Sequence, residues 1–164
     1  MTADERLARG GTPLASWGPT RPKGRGRASG TAFVSSVPVR WSDIDMYQHI
    51  NHATMVTILE EARIPFLREP FEAVIEEIGL LIHEVKILYK GQLRLIDSPL
   101  QVTMWSKRVR AVDFTIGYEV RSVRRPDSKP SVIAETQLAA VHIKEQRLER
   151  LSPAQRDYLQ RYLR

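Results

Sequence analysis

The chain has 164 residues, a length that predicts one domain with a sizeable core. It contains no cysteine, which excludes disulfides, thiolate metal sites and a cysteine nucleophile. No uninterrupted apolar run approaches the length of a membrane span and no signal-peptide pattern is visible, so we expect a cytoplasmic protein.

The net charge of +6 is distributed unevenly along the sequence. Residues 1–30 hold six basic and two acidic side chains, together with six of the nine glycines. This composition predicts a disordered basic tail, followed by a single folded domain over residues 31–164. The rest of the chain is close to neutral, with 19 basic and 17 acidic residues. A nucleic-acid partner is therefore not expected for the folded part.

The first part of the folded region reads as a strand followed by a helix. Residues 32–43, AFVSSVPVRWSD, are β-branched and aromatic and predict a strand of about ten residues. Apolar residues then recur at the spacing of one helix face: Met55, Leu59, Ala62 and Phe66. Asn51 is a suitable N-cap for this helix. Pro65 lacks an amide hydrogen and is expected to kink or end it, with a short helical piece from Pro70 to about Ile78.

Four strand-like segments and a closing helix complete the chain. The strands are predicted at residues 80–89, 100–105, 112–120 and 131–143. In the first of them, period-two alternation places five residues on one face: Leu81, His83, Val85, Ile87 and Tyr89. SPAQRDYLQRYL, at residues 152–163, predicts a Ser-capped helix. This order predicts an α+β domain in which an antiparallel sheet of about five strands packs on one long helix.

Between the first strand and the helix, WSDIDMYQHINHATM concentrates polar and ionisable side chains. Asp43 and Asp45 are two residues apart at a strand end, so their side chains point the same way. They precede a helix whose first amides have no partner within the helix and could polarise a carbonyl or bind an oxyanion. A carboxylate base or nucleophile beside such an amide is the minimum equipment for attack on an acyl carbon.

The segment RWSDIDMYQHINHATMVTILEEAR resembles the signature region of hot-dog-fold thioesterases of the 4-hydroxybenzoyl-CoA thioesterase type. The shared features are an Asp-x-Asp pair at a strand end, a turn, an Asn and a long helix ending in Glu-Glu-Ala-Arg. QHIN, at residues 48–51, is also similar to a segment of plant acyl-ACP thioesterases. The resemblance extends more weakly over residues 34–160. It implies a hot-dog domain whose sheet wraps around the central helix.

The resemblance also implies which groups are catalytic. Asp45 matches the carboxylate that attacks the thioester carbonyl or activates water, and the two roles remain open. The backbone amide of His52 would polarise that carbonyl, and His49 matches a histidine that is catalytic in the plant enzymes. Two positions depart from the family patterns. Gln48 stands where the hydroxybenzoyl-CoA type has glycine, and Tyr47 replaces the asparagine of the plant motif.

Other polar residues have simpler interpretations. Asp43 is expected to accept backbone amides that hold the turn, and Asn51 to cap the helix. Glu60 and Glu61 lie two turns or more beyond the cap, so a solvated or dimer-contacting role is favoured, although another branch of hot-dog thioesterases uses a helix carboxylate. His83 is interpreted as a hydrogen-bonded core histidine that could also line an acyl pocket. No histidine spacing predicts a metal site.

Five basic residues near the ends of two predicted strands are candidates for binding the phosphates of coenzyme A. They are Lys90, Arg94, Lys107, Arg108 and Arg110. Guanidinium and ammonium groups are the usual partners of phosphate oxygens, although solvated strand ends explain such residues equally well. The sequence does not rank one of the five above the others.

Three functions remain open at this point. The first is an acyl-CoA thioesterase that requires no soluble cofactor, acts as a homodimer or homotetramer, and has its active sites near the subunit interface. The second is the same chemistry on an acyl carrier protein, which the QHIN segment favours. The third is a catalytically silent acyl-CoA-binding protein, suggested by Tyr47 and Gln48. The sequence does not determine which acyl group is bound.

Overall fold

The computed structural model describes residues 31–164, and the predicted tail of residues 1–30 lies outside them. The helices and strands are β1 (Phe33–Val37), α1 (His52–Phe71), β2 (Ile78–Tyr89), β3 (Leu100–Val109), β4 (Asp113–Ser122), β5 (Val132–His142), β6 (Arg147–Leu148) and α2 (Pro153–Arg161). No helix within residues 31–164 is both long enough and apolar enough to cross a bilayer.

Five main strands form one antiparallel sheet in the order β1-β3-β4-β5-β2. The two-residue strand β6 pairs antiparallel with the last residues of β5. β1 and β2 are therefore the two edges. The strands β2 and β3 are consecutive in sequence but lie far apart in the sheet, since β2 pairs with β5 and β3 pairs with β1 and β4. The predicted α+β architecture, a curled sheet around one long helix, is confirmed.

The core lies between α1 and the inner face of the sheet. On β3 and β4 this face is formed by side chains that are completely buried: Leu100, Val102, Met104, Phe114, Ile116, Tyr118 and Val120. Their alternation in sequence is the period-two pattern of strands with one face against a core. Phe66 of α1 packs against Phe33 of β1 with ring centroids 5.4 Å apart, which ties the helix to the β1 edge.

The first strand is shorter than predicted. β1 ends at Val37, because Pro38 has no amide hydrogen to continue the ladder. The amide of Val39 instead donates to the Ser98 hydroxyl at 2.9 Å. Residues Trp41–Asp43 then form one 3-10 turn. The chain thus leaves the sheet early, and the polar segment follows a turn and not a strand end.

Pro65 does not end the helix, which was one of the two effects expected of it. α1 runs without a break to Phe71 and contains both Pro65 and Pro70, and only a 3-10 turn, Glu72–Val74, follows it. Each proline removes one hydrogen bond. Phe66, Leu67 and Phe71 are nevertheless buried on the sheet, and this packing keeps the last turns helical.

The predicted faces of β2 were only partly right, and His83 is not a core residue. The register with β5 shifts between Ile82 and Glu84, which leaves His83 unpaired in a bulge and exposed. Leu81 lies on the outer face, and Val85, Ile87 and Tyr89 lie on the inner face as predicted. The bulge adds one residue, so the alternation of side chains changes sides there.

Candidate active site

The predicted catalytic carboxylate, Asp45, lies in a tight turn that one of its own oxygens holds together. Its Oδ1 accepts hydrogen bonds from the amides of Tyr47, at 2.8 Å, and His49, at 3.0 Å. Backbone bonds from Asp45 N to His49 O, 2.8 Å, and from Gln48 N to Asp45 O, 3.0 Å, close the turn. Within residues 31–164 the second oxygen, Oδ2, has no hydrogen-bond donor. The turn therefore fixes the side chain and leaves one carboxylate oxygen for chemistry.

Gln48 provides the reversal of this turn. Its φ of 63° is in the left-handed region, where glycine is the usual residue. This is the position at which the sequence departs from the hydroxybenzoyl-CoA pattern. The turn is further fixed by a bridge between Ile44 and Ile50, and by the amide of Ile50, which donates to Leu93 O at 2.8 Å. Glutamine thus adopts the backbone conformation that glycine favours.

The start of α1 lies directly after the turn. Asn51 is the predicted N-cap, because its Oδ1 accepts from the amide of Ala53 at 2.8 Å. The amide of His52 has no acceptor among the described residues, while the His52 carbonyl accepts the Tyr89 hydroxyl at 2.8 Å. Burial raises the pKa of Tyr89, so the phenol remains a neutral donor. The last residue of β2 therefore anchors the helix start.

Asp43 has the structural contacts predicted for it. The side chain is buried, and Oδ2 accepts from the amide of Arg40 at 2.7 Å and from its Nε at 3.3 Å. The Asp43 carbonyl accepts the amide of Asn51 at 2.8 Å. Asp43 thus joins the end of the first turn to the helix cap, whereas Asp45 faces outward.

Asp45 lines a cavity of about 700 Å³. The other lining residues are Trp41, Ile44, Gln48, Arg94, Leu95 and Ile96. The wall formed by residues 94–97 is held by Asp97, which accepts from the amide of Arg94 at 2.9 Å and from Arg125 at 2.8 Å. Burial opposes ionisation of Asp97, but these two hydrogen bonds outweigh it and hold the pKa of the carboxyl below its usual value.

Of the five basic candidates for binding coenzyme A, only Arg94 lines the cavity that contains Asp45. Lys90 follows the end of β2, where its amide donates to Ser131 O at 2.8 Å. These two residues lie at the end of the sheet where β2 finishes and β3 starts. No acidic side chain within residues 31–164 forms an ion pair with either of them.

The other three basic candidates lie elsewhere, and two of them form ion pairs with acidic side chains. Lys107 and Arg108 line a cavity of about 340 Å³ on the outer face of the sheet, where Lys107 pairs with Glu135. Arg110 pairs with Asp113 at 2.9 Å in the turn between β3 and β4, at the opposite end of β3 from Arg94. The five residues therefore do not form one phosphate site.

The remaining predicted residues are distributed as follows. Glu60 pairs with Arg63 at 3.0 Å, and Glu61 with Arg40 at 3.5 Å, consistent with the solvated interpretation of both carboxylates. The His49 side chain is half-buried and forms no recorded hydrogen bond within residues 31–164. No three histidine, aspartate or glutamate side chains in this part of the chain converge as a metal site.

Sequence reasoning missed two residues of this region. Tyr89 was predicted only as an apolar-face residue, although its hydroxyl contacts the helix start. Asp97 was not singled out, although it supports one wall of the cavity. A single sequence carries no signal for the Tyr89 contact, because 37 residues separate Tyr89 from His52. The Asp97 contact is local, since Asp97 accepts from an amide three residues earlier, and an aspartate at that spacing could have indicated a turn.

A sheet curled around a central helix, with a turn-held carboxylate at the helix start, defines a protein of the hot-dog fold class. The family model of the thioesterase-like superfamily matches residues 39–159, and the chain belongs to this superfamily. No curated protein sequence matches it.

Solved structures of thioesterases share the fold. A thioesterase-superfamily protein from Jannaschia sp. CCS1 has a TM-score of 0.73 at 13% identity, covering 85% of this chain and 99% of that one. The probable thioesterase YbaW from Escherichia coli has a TM-score of 0.67 at 22% identity, with coverages of 80% and 98%. A 1,4-dihydroxy-2-naphthoyl-CoA thioesterase from Synechocystis has a TM-score of 0.66 at 15% identity, covering 79% of this chain and 96% of that one. At these identities the likeness concerns the fold.

Proposed function

We propose that this protein hydrolyses acyl-CoA thioesters to a carboxylic acid and free coenzyme A, with Asp45 as the catalytic carboxylate. The observation that carries the proposal is the geometry of Asp45. One oxygen is held by two amides, the other has no hydrogen-bond donor within residues 31–164, and the side chain lines a cavity at the turn that directly precedes α1. Membership of the thioesterase-like superfamily supports thioester hydrolysis in general.

The chemistry requires a base or nucleophile and a donor for the developing oxyanion. In the general-base form, Asp45 takes a proton from water while the hydroxide oxygen adds to the thioester carbon. The carbonyl oxygen becomes an oxyanion, and the His52 amide at the helix start would stabilise it. The C–S bond then breaks and the sulfur receives the proton from Asp45. In the nucleophilic form, Asp45 itself adds to the carbon, the C–S bond breaks, and coenzyme A leaves as a thiolate that takes a proton from water. A second water then hydrolyses the mixed anhydride, which releases the carboxylic acid and regenerates the Asp45 carboxylate.

Arg94 is the candidate we select for the phosphates of coenzyme A. It lines the same cavity as Asp45, and it has no acidic partner within residues 31–164. Its backbone is fixed by Asp97, so the guanidinium extends from a rigid turn. The other four basic candidates are weaker, because none of them lines this cavity and two of them, Lys107 and Arg110, form ion pairs with acidic side chains. No soluble cofactor is proposed.

We further propose a homodimer formed through β2, as expected for this fold. β2 is an edge of the sheet, and it exposes apolar side chains that include Leu81, Ile82 and Leu88. An antiparallel pairing of two β2 strands about their centre would place Tyr89 of the partner subunit beside Ile78. Since Tyr89 contacts the helix start in its own subunit, each active site would then face the first residues of β2 across the interface.

Thiol release tests the proposal directly. The purified protein is assayed with short, long and aromatic acyl-CoAs, alongside Asp45→Asn and the control Asp157→Asn, which alters an exposed carboxylate on α2. Asparagine keeps the shape of Asp45 and its Oδ1 acceptor, but it removes the charge. We expect a fall in kcat of at least about 100-fold for Asp45→Asn, the lower range of general-base effects, and no change for the control.

Three outcomes separate this proposal from its alternatives. Retained turnover in Asp45→Asn eliminates the mechanism. A strong preference for acyl carrier protein over coenzyme A substrates, with the same dependence on Asp45, favours the carrier-protein thioesterase. Binding of acyl-CoA without thiol release from any substrate identifies a silent binding protein. Parallel assay of His49→Ala determines whether that side chain takes part, as its match to the plant enzymes implies.

A further inference from the structure

A second cavity, of about 460 Å³, lies between the later turns of α1 and the beginning of β2. Most of its wall is apolar and includes Ile64, Leu67, Phe71, Ile78, Leu80 and Leu138. It begins at Glu60, eight residues after the helix start, which is about 12 Å along the helix. This cavity is therefore distinct from the one that contains Asp45 in the same subunit.

One charged group is buried in this apolar wall. Arg63 lines the cavity, and only 5% of the residue is exposed. Its one ion pair is with Glu60, through Nη2 at 3.0 Å, and 55% of the Glu60 side chain is exposed at the rim. A guanidinium carries five N–H donors. Within residues 31–164, Glu60 is the one acceptor at hydrogen-bond distance from the guanidinium, and the other guanidinium nitrogens keep accessible surface on the cavity that Arg63 lines.

Two further polar groups lie beneath Arg63. The hydroxyls of Tyr118 and Thr136 are buried and form no hydrogen bond in the described part of the chain. Burial raises the pKa of Tyr118, while Thr136 and the guanidinium of Arg63 lie close enough to oppose the rise. The Tyr118 hydroxyl therefore lies within the electrostatic reach of both Thr136 and Arg63. A ligand oxygen in the cavity would supply an acceptor for the remaining N–H donors of Arg63.

We propose that Arg63 determines substrate specificity by donating hydrogen bonds to an uncharged oxygen, a hydroxyl or a carbonyl, at the far end of the acyl group. This inference rests on the proposed thioesterase function and on pairing through β2. In that dimer the active site of the partner subunit faces Ile78, a wall residue of this cavity. The acyl group would thus extend from the partner's active site into the Arg63 cavity.

The charge balance decides in favour of an uncharged oxygen. Glu60 already neutralises Arg63, and a carboxylate on the acyl group would bring a second negative charge next to Glu60. A hydroxyl or carbonyl accepts the free N–H donors without that repulsion. A plain hydrocarbon end would leave those donors unpaired and fill the polar end of the cavity poorly. The cavity is therefore suited to oxygen-bearing acyl chains over unmodified ones of equal length.

The test compares matched substrates on matched variants. The substrates are hexanoyl-CoA with 6-hydroxyhexanoyl-CoA, dodecanoyl-CoA with 12-hydroxydodecanoyl-CoA, and adipoyl-CoA as the anionic probe. The variants are Arg63→Met and the control Arg68→Met, since Arg68 lines the same cavity but is exposed. The partner left behind in Arg63→Met is Glu60, whose side chain is 55% exposed, so the substitution leaves no unpaired charge buried. Arg63→Lys, which keeps the charge but not the planar fork, serves as a second variant if Arg63→Met is poorly folded.

For the wild type we expect kcat/KM to favour the hydroxylated member of at least one pair by about tenfold or more, with adipoyl-CoA not preferred over hexanoyl-CoA. Arg63→Met should remove this preference, largely by raising kcat/KM for the unmodified chain, while Arg68→Met keeps it. Arg63→Lys should reduce it. Equal kcat/KM values within both pairs in the wild type would overturn the inference, as would loss of the preference in Arg68→Met or a preference for adipoyl-CoA.

Failure of the proposed function has a different signature. If the wild type releases thiol from no acyl-CoA, the dissociation constants of the same pairs are measured by calorimetry. Tighter binding of the hydroxylated member that is lost in Arg63→Met supports the role of Arg63 without catalysis. Equal dissociation constants within each pair overturn it.

Discussion

Replacing Gln48 by glycine tests the backbone of the turn that holds Asp45. Gln48 has a φ of 63°, and its amide donates to Asp45 O at 3.0 Å. Its side chain is exposed and forms no recorded hydrogen bond within residues 31–164. The substitution therefore changes the backbone preference at this position and removes little else.

Two opposing effects determine the size of the change. A residue with a Cβ pays roughly 1–2 kcal/mol in the left-handed region, which glycine avoids. Glycine in turn loses more backbone entropy on folding, about 0.4–1 kcal/mol. We therefore expect Gln48→Gly to raise the free energy of unfolding by about 0.5–1 kcal/mol, which corresponds to about 1–4 °C in Tm for a domain of this size. Gln48→Val should lower it, because β-branched residues are outliers in this region.

Urea denaturation and thermal unfolding measure both changes. Gln146→Gly is the matched control, because Gln146 has a φ of 49° in the turn before β6, remote from Asp45. It should give a similar gain in stability. A loss of more than about 1 kcal/mol in Gln48→Gly, with a gain in Gln146→Gly, would refute the left-handed conformation at position 48. Thiol release should change little in either variant if the carboxylate of Asp45 keeps its two amide donors.

Two further substitutions separate structural from catalytic carboxylates. Asp43→Ala leaves the Arg40 amide without its buried acceptor, so we expect unfolding in urea to show a loss of about 2–3 kcal/mol; an unchanged midpoint would contradict the turn-holding role of Asp43. Asp97 has a lowered pKa in the folded state, so its contribution to stability is present above the unfolded pKa of about 3.9 and is lost as pH falls through the folded value. Asp97→Asn should therefore have a lower free energy of unfolding than the wild type at pH 7, and the two values should converge in acid. Urea titrations from pH 7 to 3 measure this difference. A difference that stays constant with pH would show that the carboxylate charge does not cause the loss of stability.

Much of the fold could be predicted because the relevant signals are local. The alternation of buried apolar residues along β3 and β4 is visible in their sequence, because one face of each strand packs on the helix. Asn51 and Ser152 were both identified as helix caps, and each accepts an amide of the first helical turn. Such features depend on neighbours two to four residues away, which a sequence shows.

The errors arise where distant packing overrides a local preference. Pro65 disfavours a continuous helix locally, but Phe66 and Phe71 bury enough apolar surface beyond it to keep the helix intact. The bulge at His83 is set by pairing with β5, about 50 residues later in the chain, and it moves Leu81 and His83 to the outer side of the sheet. Neither outcome has a signal within the segment itself.

The candidate site divides in the same way. The carboxylate turn was predictable as a group, because Asp45, His49 and the helix start are adjacent in sequence. The grouping of the basic residues was not predictable, because strand β3 lies between Arg94 and Arg110 and places them at its opposite ends. A cluster of charges in sequence becomes a cluster in space only when no strand of about ten residues lies between its members.

The exposed inner surface of β2 and the buried Arg63 have one common explanation. A single subunit covers Phe114 and Ile116 completely, yet it leaves Ile82 44% exposed on the same face of the sheet. Within residues 31–164 it also gives the buried guanidinium of Arg63 a single ion-pair partner, in a cavity wall that is mostly apolar. Both features are unfavourable for an isolated chain and become favourable if a second subunit and an acyl group occupy the adjacent space. Both unfavourable features lie on the β2 side of α1, so the acyl group of the substrate is expected on that side. On the β1 side, Phe33 and Phe66 already pack against each other.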